Sequence, residues 1–250
     1  MSTPDPRVIL VTGGSRGIGL AVALDLAGHG DAIVIQYREN RAAAEQAVAE
    51  MRRSGGVAHA VQGDVRRRAD VERAVQESIE FGRHLDGVVT CAGIYRGDPS
   101  EAVGEVEWED VIRTDLEGTF RTVQAAAPRL RERPGSAIVT VSSIVGSRPA
   151  GGGVAYQSAK AGVEQMTRAM ALEFAPAIRV NCVAPGYIRT DMNAPAHLDP
   201  VFGARVARET PLKRWGEARD VAPTVRYLLS HRAAWVTGAI VHVDGGLSVR

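Results

Sequence analysis

One pattern repeats from end to end of this chain: a short run of β-branched and aliphatic residues, a polar break, then a segment with helical spacing. The strand-like run Arg7–Thr12 leads into helix-spaced Leu20–Ala27, Ala32–Gln36 into Ala42–Ser54, Val57–Gln62 into Ala69–Phe81, and Leu85–Thr90 into one long helix around Trp108–Leu130. Beyond these come strand Ser136–Val141, a helix containing Tyr156 that runs to about Phe174, strand Ile178–Val183, a helix near Arg219–Leu229 and strand Ala239–Val243. Antiparallel neighbours can be joined by a two-residue turn, whereas parallel neighbours need a crossover, usually a helix. The alternation therefore predicts an α/β fold built on a doubly wound parallel sheet with helices on both faces. Strand cores such as Ala137-Ile-Val-Thr-Val141 are apolar nearly throughout, as expected where both faces are covered. The period continues across Gly151-Gly-Gly153, and neither a repeat nor a linker divides the chain, so residues 1–250 read as a single domain.

The first strand stops at Gly13-Gly14-Ser15-Arg16-Gly17-Ile18-Gly19, and a helix follows directly. Glycines let backbone approach a pyrophosphate, and a helix N-terminus offers free N–H groups and the positive end of its dipole. The spacing is Gly-x-x-x-Gly-x-Gly, not Gly-x-Gly-x-x-Gly. A plain tight turn would also use glycines; the strand before and the helix after favour a phosphate cradle in a Rossmann-like dinucleotide fold. The second strand ends in Gln36-Tyr37-Arg38-Glu39, without the acid that usually reads the ribose of NAD. Arg38 at that corner and Arg16 in the turn favour a 2′-phosphate, hence NADP(H), through charge-assisted bonds. The plain alternative is two surface arginines in an Arg-rich chain, and Glu39 counts against the phosphate.

Tyr156 and Lys160 are four residues apart, so on a helix they share a face. A phenol with an ordinary pKa of about 10 is a poor acid at neutral pH, and a neighbouring ammonium pulls that value down. Of the 30 basic residues only Lys160 and Lys213 are lysines, so a compact, tunable ammonium stands where this chain otherwise uses guanidinium. An incidental pair on an exposed helix is the alternative.

Composition excludes several classes. A net charge of +1 with both signs scattered leaves no electrostatic footprint for nucleic acid or an anionic membrane, and Arg66-Arg67-Arg68 reads as a solvated helix start. The segment Met1–Arg7 has no apolar signal region, and no apolar run is long enough to span a bilayer, so a cytoplasmic protein is expected. Cys91 and Cys182 sit in apolar strand-like segments, which suits reduced thiols better than a disulfide or a metal site.

Taken in order, these motifs resemble the short-chain dehydrogenases/reductases over essentially the whole length. Thr12-Gly13-x-x-x-Gly17-x-Gly19 is similar to the family's cofactor turn, and Gly63-Asp64-Val65 to its adenine-contacting strand end. Ser143, Tyr156 and Lys160 match its catalytic Ser, Tyr and Lys. Arg179–Thr190, with Pro185, Gly186, Ile188 and Thr190, resembles the segment flanking the nicotinamide, and Asp244-Gly245-Gly246 also fits. Within the family the pattern is closest to 3-oxoacyl-carrier-protein reductases and related carbonyl reductases. Two positions depart from it. Asn-Asn-Ala-Gly is Thr90-Cys91-Ala92-Gly93 here, and the Asn whose main-chain carbonyl helps hold a water near the catalytic Lys is Asp115.

The resemblance implies reduction of a ketone or aldehyde by NADPH. Tyr156 would be the proton donor, Ser143 would hold the carbonyl oxygen, Lys160 would lower the Tyr156 pKa and bind the ribose, and Asp115 would take the place of the relay Asn. Cofactor contacts would come from Gly13, Ser15, Arg16, Gly17, Ile18, Gly19, Tyr37, Arg38, Asp64, Val65, Cys91, Ala92, Gly93, Tyr156, Lys160, Pro185, Gly186, Ile188 and Thr190. It also implies a mobile, irregular substrate lid over about 187–214 and a homotetramer that buries apolar surface from the helix around Val111–Val123 and from the last strand. Alternatives are alcohol oxidation by the same residues and a nucleotide sensor without turnover. Carrier-protein recognition through Arg129, Arg131 and Arg133 competes with the simpler account of an exposed helix end.

Overall fold

The computed structural model describes residues 5–250; Met1 to Pro4, on which the reading of the N-terminus partly rests, lie outside the described residues. β1 (Val8–Thr12), β2 (Ala32–Tyr37), β3 (Val57–Gln62) and β4 (Gly87–Thr90) alternate with α1 (Gly17–Gly28), α2 (Arg41–Arg53) and α3 (Arg68–Gly82). After α4 (Glu105–Val111) and α5 (Gly118–Leu130) come β5 (Ala137–Val141), α6 (Val154–Phe174) and β6 (Arg179–Pro185). The remainder comprises β7 (Ile188–Arg189), α7 (Ala194–Leu198), α8 (Pro200–Glu209), β8 (Gly216–Glu217), α9 (Ala218–Leu229) and β9 (Ile240–Val243).

Seven strands form one parallel sheet in the order β3-β2-β1-β4-β5-β6-β9. Because side chains alternate along a strand, Ile9 and Val11 of β1 enter the core beneath α1, α2 and α9, while Val8 and Leu10 enter the core beneath α3, α5 and α6. The apolar strands of the sequence are thus buried on both faces. From β1 the chain winds out to β3 and then returns to β4 on the other side of β1, so the strand order reverses between β1 and β4. Ligands of such sheets bind at that reversal, outside the carboxyl ends of the strands.

Two regions differ from the sequence reading. The long helix expected over Trp108–Leu130 is interrupted by a π-helical segment, Ile112–Glu117, between α4 and α5. Widened turns of this kind leave main-chain carbonyls without their usual partners. Here the Thr119 hydroxyl donates to the Asp115 carbonyl at 2.8 Å and the Thr122 hydroxyl to the Gly118 carbonyl at 2.7 Å. Leu116 from the same segment packs onto α6 at Gly162, where a Cβ would stand 2.9 Å from its side chain.

The second difference is the stretch 187–214, expected to be irregular. It holds a 3₁₀ turn at Asp191–Asn193 and the two helices α7 and α8. Asp199 caps α8 by accepting the main-chain N–H groups of Val201 and Phe202, with Pro200 at the first helical position. Behind these helices lies buried Trp215, whose indole N–H donates to the Gly203 carbonyl at 2.9 Å and whose ring meets Tyr187, His197 and Phe202.

Candidate active site

A cleft of about 430 Å³ opens at the carboxyl ends of the strands, across the β1/β4 reversal. Its floor is the glycine turn. Gly13 has φ +67°, and a Cβ there would stand 2.8 Å from the Ala92 Cα, so only glycine lets the loops after β1 and β4 touch. Ser15, Arg16, Gly17, Ile18 and Gly19 continue this wall into α1. No side chain caps the start of α1, which leaves its first N–H groups facing the cleft for an anion.

At the far end stand Tyr37 and Arg38 from the end of β2, with Asp64 and Val65 from beyond β3. Arg38 is already paired with Glu39 at 2.8 Å, whereas Arg16 forms no ion pair among the described residues. Burial works to raise the Asp64 carboxyl, but hydrogen bonds from Arg66, at 2.6 and 2.9 Å to Oδ2, outweigh it and hold the group below the usual carboxylate range. The Gln36 amide is buried between these groups with neither of its polar atoms hydrogen-bonded.

The other end of the cleft gathers Ser143 from the end of β5, Tyr156 and Lys160 from α6, Asp115 from the π-helical segment, and Cys91, Ala92 and Gly93 after β4. Pro185, Gly186, Ile188 and Thr190 close it from the end of β6. Every residue named as catalytic or cofactor-binding therefore lines one cleft, and of the expected lid Ile188, Thr190, Asp191, Met192 and Asn193 reach it. Ile94, Tyr95 and Thr114 line it too and were not foreseen; each lies close to a foreseen position in the chain, so the motif flanks carried the signal. Tyr95 packs edge-on against Tyr156 with ring centroids 5.2 Å apart.

Lys160 is buried and donates to the Val141 carbonyl at 3.1 Å. Its Nζ lies 5.4 Å from the Tyr156 ring centroid. The Asp115 main-chain carbonyl accepts the Thr119 hydroxyl and keeps a second lone pair, while its carboxylate meets Lys160, with Oδ2 at 3.2 Å from Nζ. Lys160 acts to lower the Tyr156 pKa, but burial opposes it. Burial pushes the phenol up, Lys160 pulls it down and Asp115 pushes it up again, while Ser143 favours the phenolate; the net direction is upward. Cys182 lies within β6 as foreseen, but Cys91 lies just past the end of β4, and burial pushes its thiol up to about 12.

A family model described as Enoyl-(Acyl carrier protein) reductase matches residues 13–248. The chain belongs to the short-chain dehydrogenase/reductase family. It is 37% identical over 239 residues to 3-oxoacyl-(acyl-carrier-protein) reductase FabG of Staphylococcus aureus, covering 95% of this chain and 96% of that protein. Among solved structures, a variant of actinorhodin polyketide ketoreductase with NADPH superposes with TM-score 0.93 at 30% identity, covering all of both chains. A gluconate 5-dehydrogenase from Burkholderia cenocepacia, in complex with NADP and tartrate, does so with TM-score 0.93 at 32% identity, covering 98% of this chain and 96% of that one. As a short-chain dehydrogenase/reductase the protein is an oxidoreductase that works with a nicotinamide cofactor. The cleft fits such a group: a glycine cradle and an uncapped helix start line one part of a continuous wall, and a half-buried phenol with a buried ammonium lies at the other end. Among the described residues no helix is long and apolar enough to cross a membrane.

Proposed function

We propose that the protein reduces a ketone, 3-oxoacyl-like or another carbonyl compound, to a secondary alcohol with NADPH, Tyr156 being the proton donor. One observation carries this reading: Ser143, Tyr156 and Lys160 converge at the end of the same cleft whose other end is the glycine turn with Arg16. Hydride for the carbonyl carbon would come from NADPH held along this cleft. The chain's own groups handle the oxygen: Ser143 donates a hydrogen bond to it as negative charge develops, and Tyr156 transfers its phenolic proton to it. A phenol of ordinary pKa, about 10, is protonated at neutral pH, the state a proton donor requires, and the upward direction here leaves it so. Lys160 offers its ammonium to the phenolate left behind. Arg16 and Arg38 would hold a 2′-phosphate and α1 the pyrophosphate, with Cys91, Ala92, Gly93, Pro185, Gly186, Ile188 and Thr190 flanking the nicotinamide. The stretch 187–214, with α7 and α8, would cover the substrate.

Carrier-protein recognition through the end of α5 draws little support from the local contacts. Arg129 lies 3.3 Å from Glu132, Arg133 3.0 Å from Asp86, and Arg131 stacks on Phe174, so all three charges are engaged within the chain. The likeness to a gluconate 5-dehydrogenase favours the oxidative direction as a second reading. NADPH consumption with a 3-oxoacyl thioester and a small diketone, set against NADP⁺ reduction with the matching alcohols, tests both. No turnover in either direction would refute the enzyme reading.

Assembly is proposed as a homotetramer. The helix around Val111–Val123, expected to supply interface surface, exposes Phe120, with Val106 and Trp108 just before it, while Val111 and Val123 themselves are buried inside the protomer. The outer edge of β9 is the second open face. A monomer by light scattering at micromolar concentration would refute this assembly.

A further inference from the structure

Asp115 is fully excluded from solvent, a costly place for a carboxylate unless it is paired. Its Oδ1 accepts the Ile94 N–H at 2.8 Å, and its Oδ2, 3.2 Å from the Lys160 ammonium, has no directed hydrogen bond. Two features of the fold let it reach so far. The π-helical segment carries the side chain toward α6, and position 93 is glycine, where a Cβ would stand 2.8 Å from Oδ2.

Other titratable groups face the pair from every side. Tyr156 belongs to α6, as does Glu164 one turn beyond Lys160, whose carboxylate accepts the Ser142 hydroxyl at 3.1 Å. Tyr95 and Cys91 come from the segment after β4, and Cys182 from β6. Burial pushes Cys91 up to about 12 and Cys182 up to about 11, and raises Tyr95, so none of these ionises near neutral pH. Among the described residues Asp115 is thus the one anion paired with Lys160.

We propose that Asp115 is a positioning residue that sets the charge of the catalytic end of the cleft. Its carboxylate neutralises Lys160, so the pH at which Tyr156 exchanges its proton is fixed by both residues rather than by Lys160 alone. The inference rests on the reading of Tyr156 as proton donor. The opposed effects on the phenol, Lys160 favouring phenolate and Asp115 opposing it, have the required signs.

Alcohol oxidation needs the phenolate, so kcat/KM with NADP⁺ rises with pH to a plateau, and its midpoint reads the Tyr156 exchange. In Asp115→Asn, and in the smaller, equally uncharged Asp115→Ser, that midpoint should move to lower pH. At one unit below the parent midpoint, activity relative to each plateau should rise about fivefold. A lower plateau with an unmoved midpoint, the result of a merely structural role, would overturn the inference, as would a shift to higher pH. If Tyr156→Phe abolishes turnover while Asp115→Asn leaves the midpoint in place, this inference alone fails; turnover retained in Tyr156→Phe overturns the proton-donor reading and the inference with it. Should neither Asp115 variant fold, carboxyl ¹³C resonances of the aspartate-labelled parent decide the matter: Asp115 must be ionised at neutral pH, and a protonated Asp115 there would overturn the proposal.

Discussion

Lys160→Met tests the buried ion pair most severely. In the parent, Asp115 is inaccessible to solvent and Lys160 nearly so, with side-chain exposures of 0% and 7% and an N–O distance of 3.2 Å. Removing the ammonium leaves a buried carboxylate without its countercharge, a change that costs about 3–5 kcal/mol. Asp115→Asn alone should cost less, about 1–3 kcal/mol, because Lys160 keeps the Val141 carbonyl at 3.1 Å and borders the cleft. The double variant removes both charges and should lie near the milder single one, a coupling equal in size to the Lys160→Met loss, about 3–5 kcal/mol, in a double-mutant cycle. For a chain of this size Lys160→Met should lower Tm by on the order of 10 °C. Burial raises the folded Asp115 pKa above its unfolded value, Lys160 opposing. Between those two values the folded chain holds a proton that the unfolded chain has released, so stability falls as pH climbs through that window. Without Lys160 the folded value rises further and the window widens upward, so the loss of stability should be larger at mildly alkaline pH than at mildly acidic pH. Circular-dichroism melts of the four proteins at both conditions supply the assay. Single effects that sum to the double within about 0.5 kcal/mol, or a Lys160→Met loss independent of pH, would refute the reasoning.

Combining Arg16→Ala with Arg38→Asp should weaken NADPH and improve NADH, since each charge-assisted contact is worth about 1.5–3 kcal/mol; equal efficiencies with the two cofactors in the parent would refute the assignment. Because Glu39 already holds Arg38 at 2.8 Å, Glu39→Gln should tighten NADPH without helping NADH, measured by fluorescence titration. Lys160→Arg keeps the charge but replaces a compact ammonium by a planar fork in a buried slot, so turnover should fall by roughly 10² or more. Near-parental rates would reduce Lys160 to a bare charge.

Much of this was legible before any coordinates, because the informative features are periodic or local. The apolar runs marked the seven strands of the large sheet within a residue or two, though not the short pair β7 and β8, and the glycine turn and Tyr156/Lys160 spacing marked two walls of the cleft. What stayed hidden depends on contacts between elements. Nothing within Ile112–Glu117 marks a widened turn; the contacts that accompany it, Leu116 on Gly162 and the Thr119 hydroxyl on the Asp115 carbonyl, join it to other elements. The approach of the Asp115 carboxylate to Lys160 depends on Gly93, 22 positions away in a separate loop. The capping pair Asp199-Pro200, by contrast, is a local sequence signal for the start of α8. The net direction of the Tyr156 pKa was also beyond reach, because burial is the larger effect and a helical spacing says nothing of depth.

The central claim is that Tyr156 delivers the proton to a carbonyl oxygen. Single-turnover reduction of a ketone by enzyme-bound NADPH, followed by nicotinamide absorbance in the parent and in Tyr156→Phe, tests it directly. The variant lacks one hydroxyl, so it should bind NADPH with parental affinity and transfer hydride slower by about 10²–10⁴. A rate in Tyr156→Phe within a few-fold of the parent, with NADPH bound equally well, would contradict the assignment.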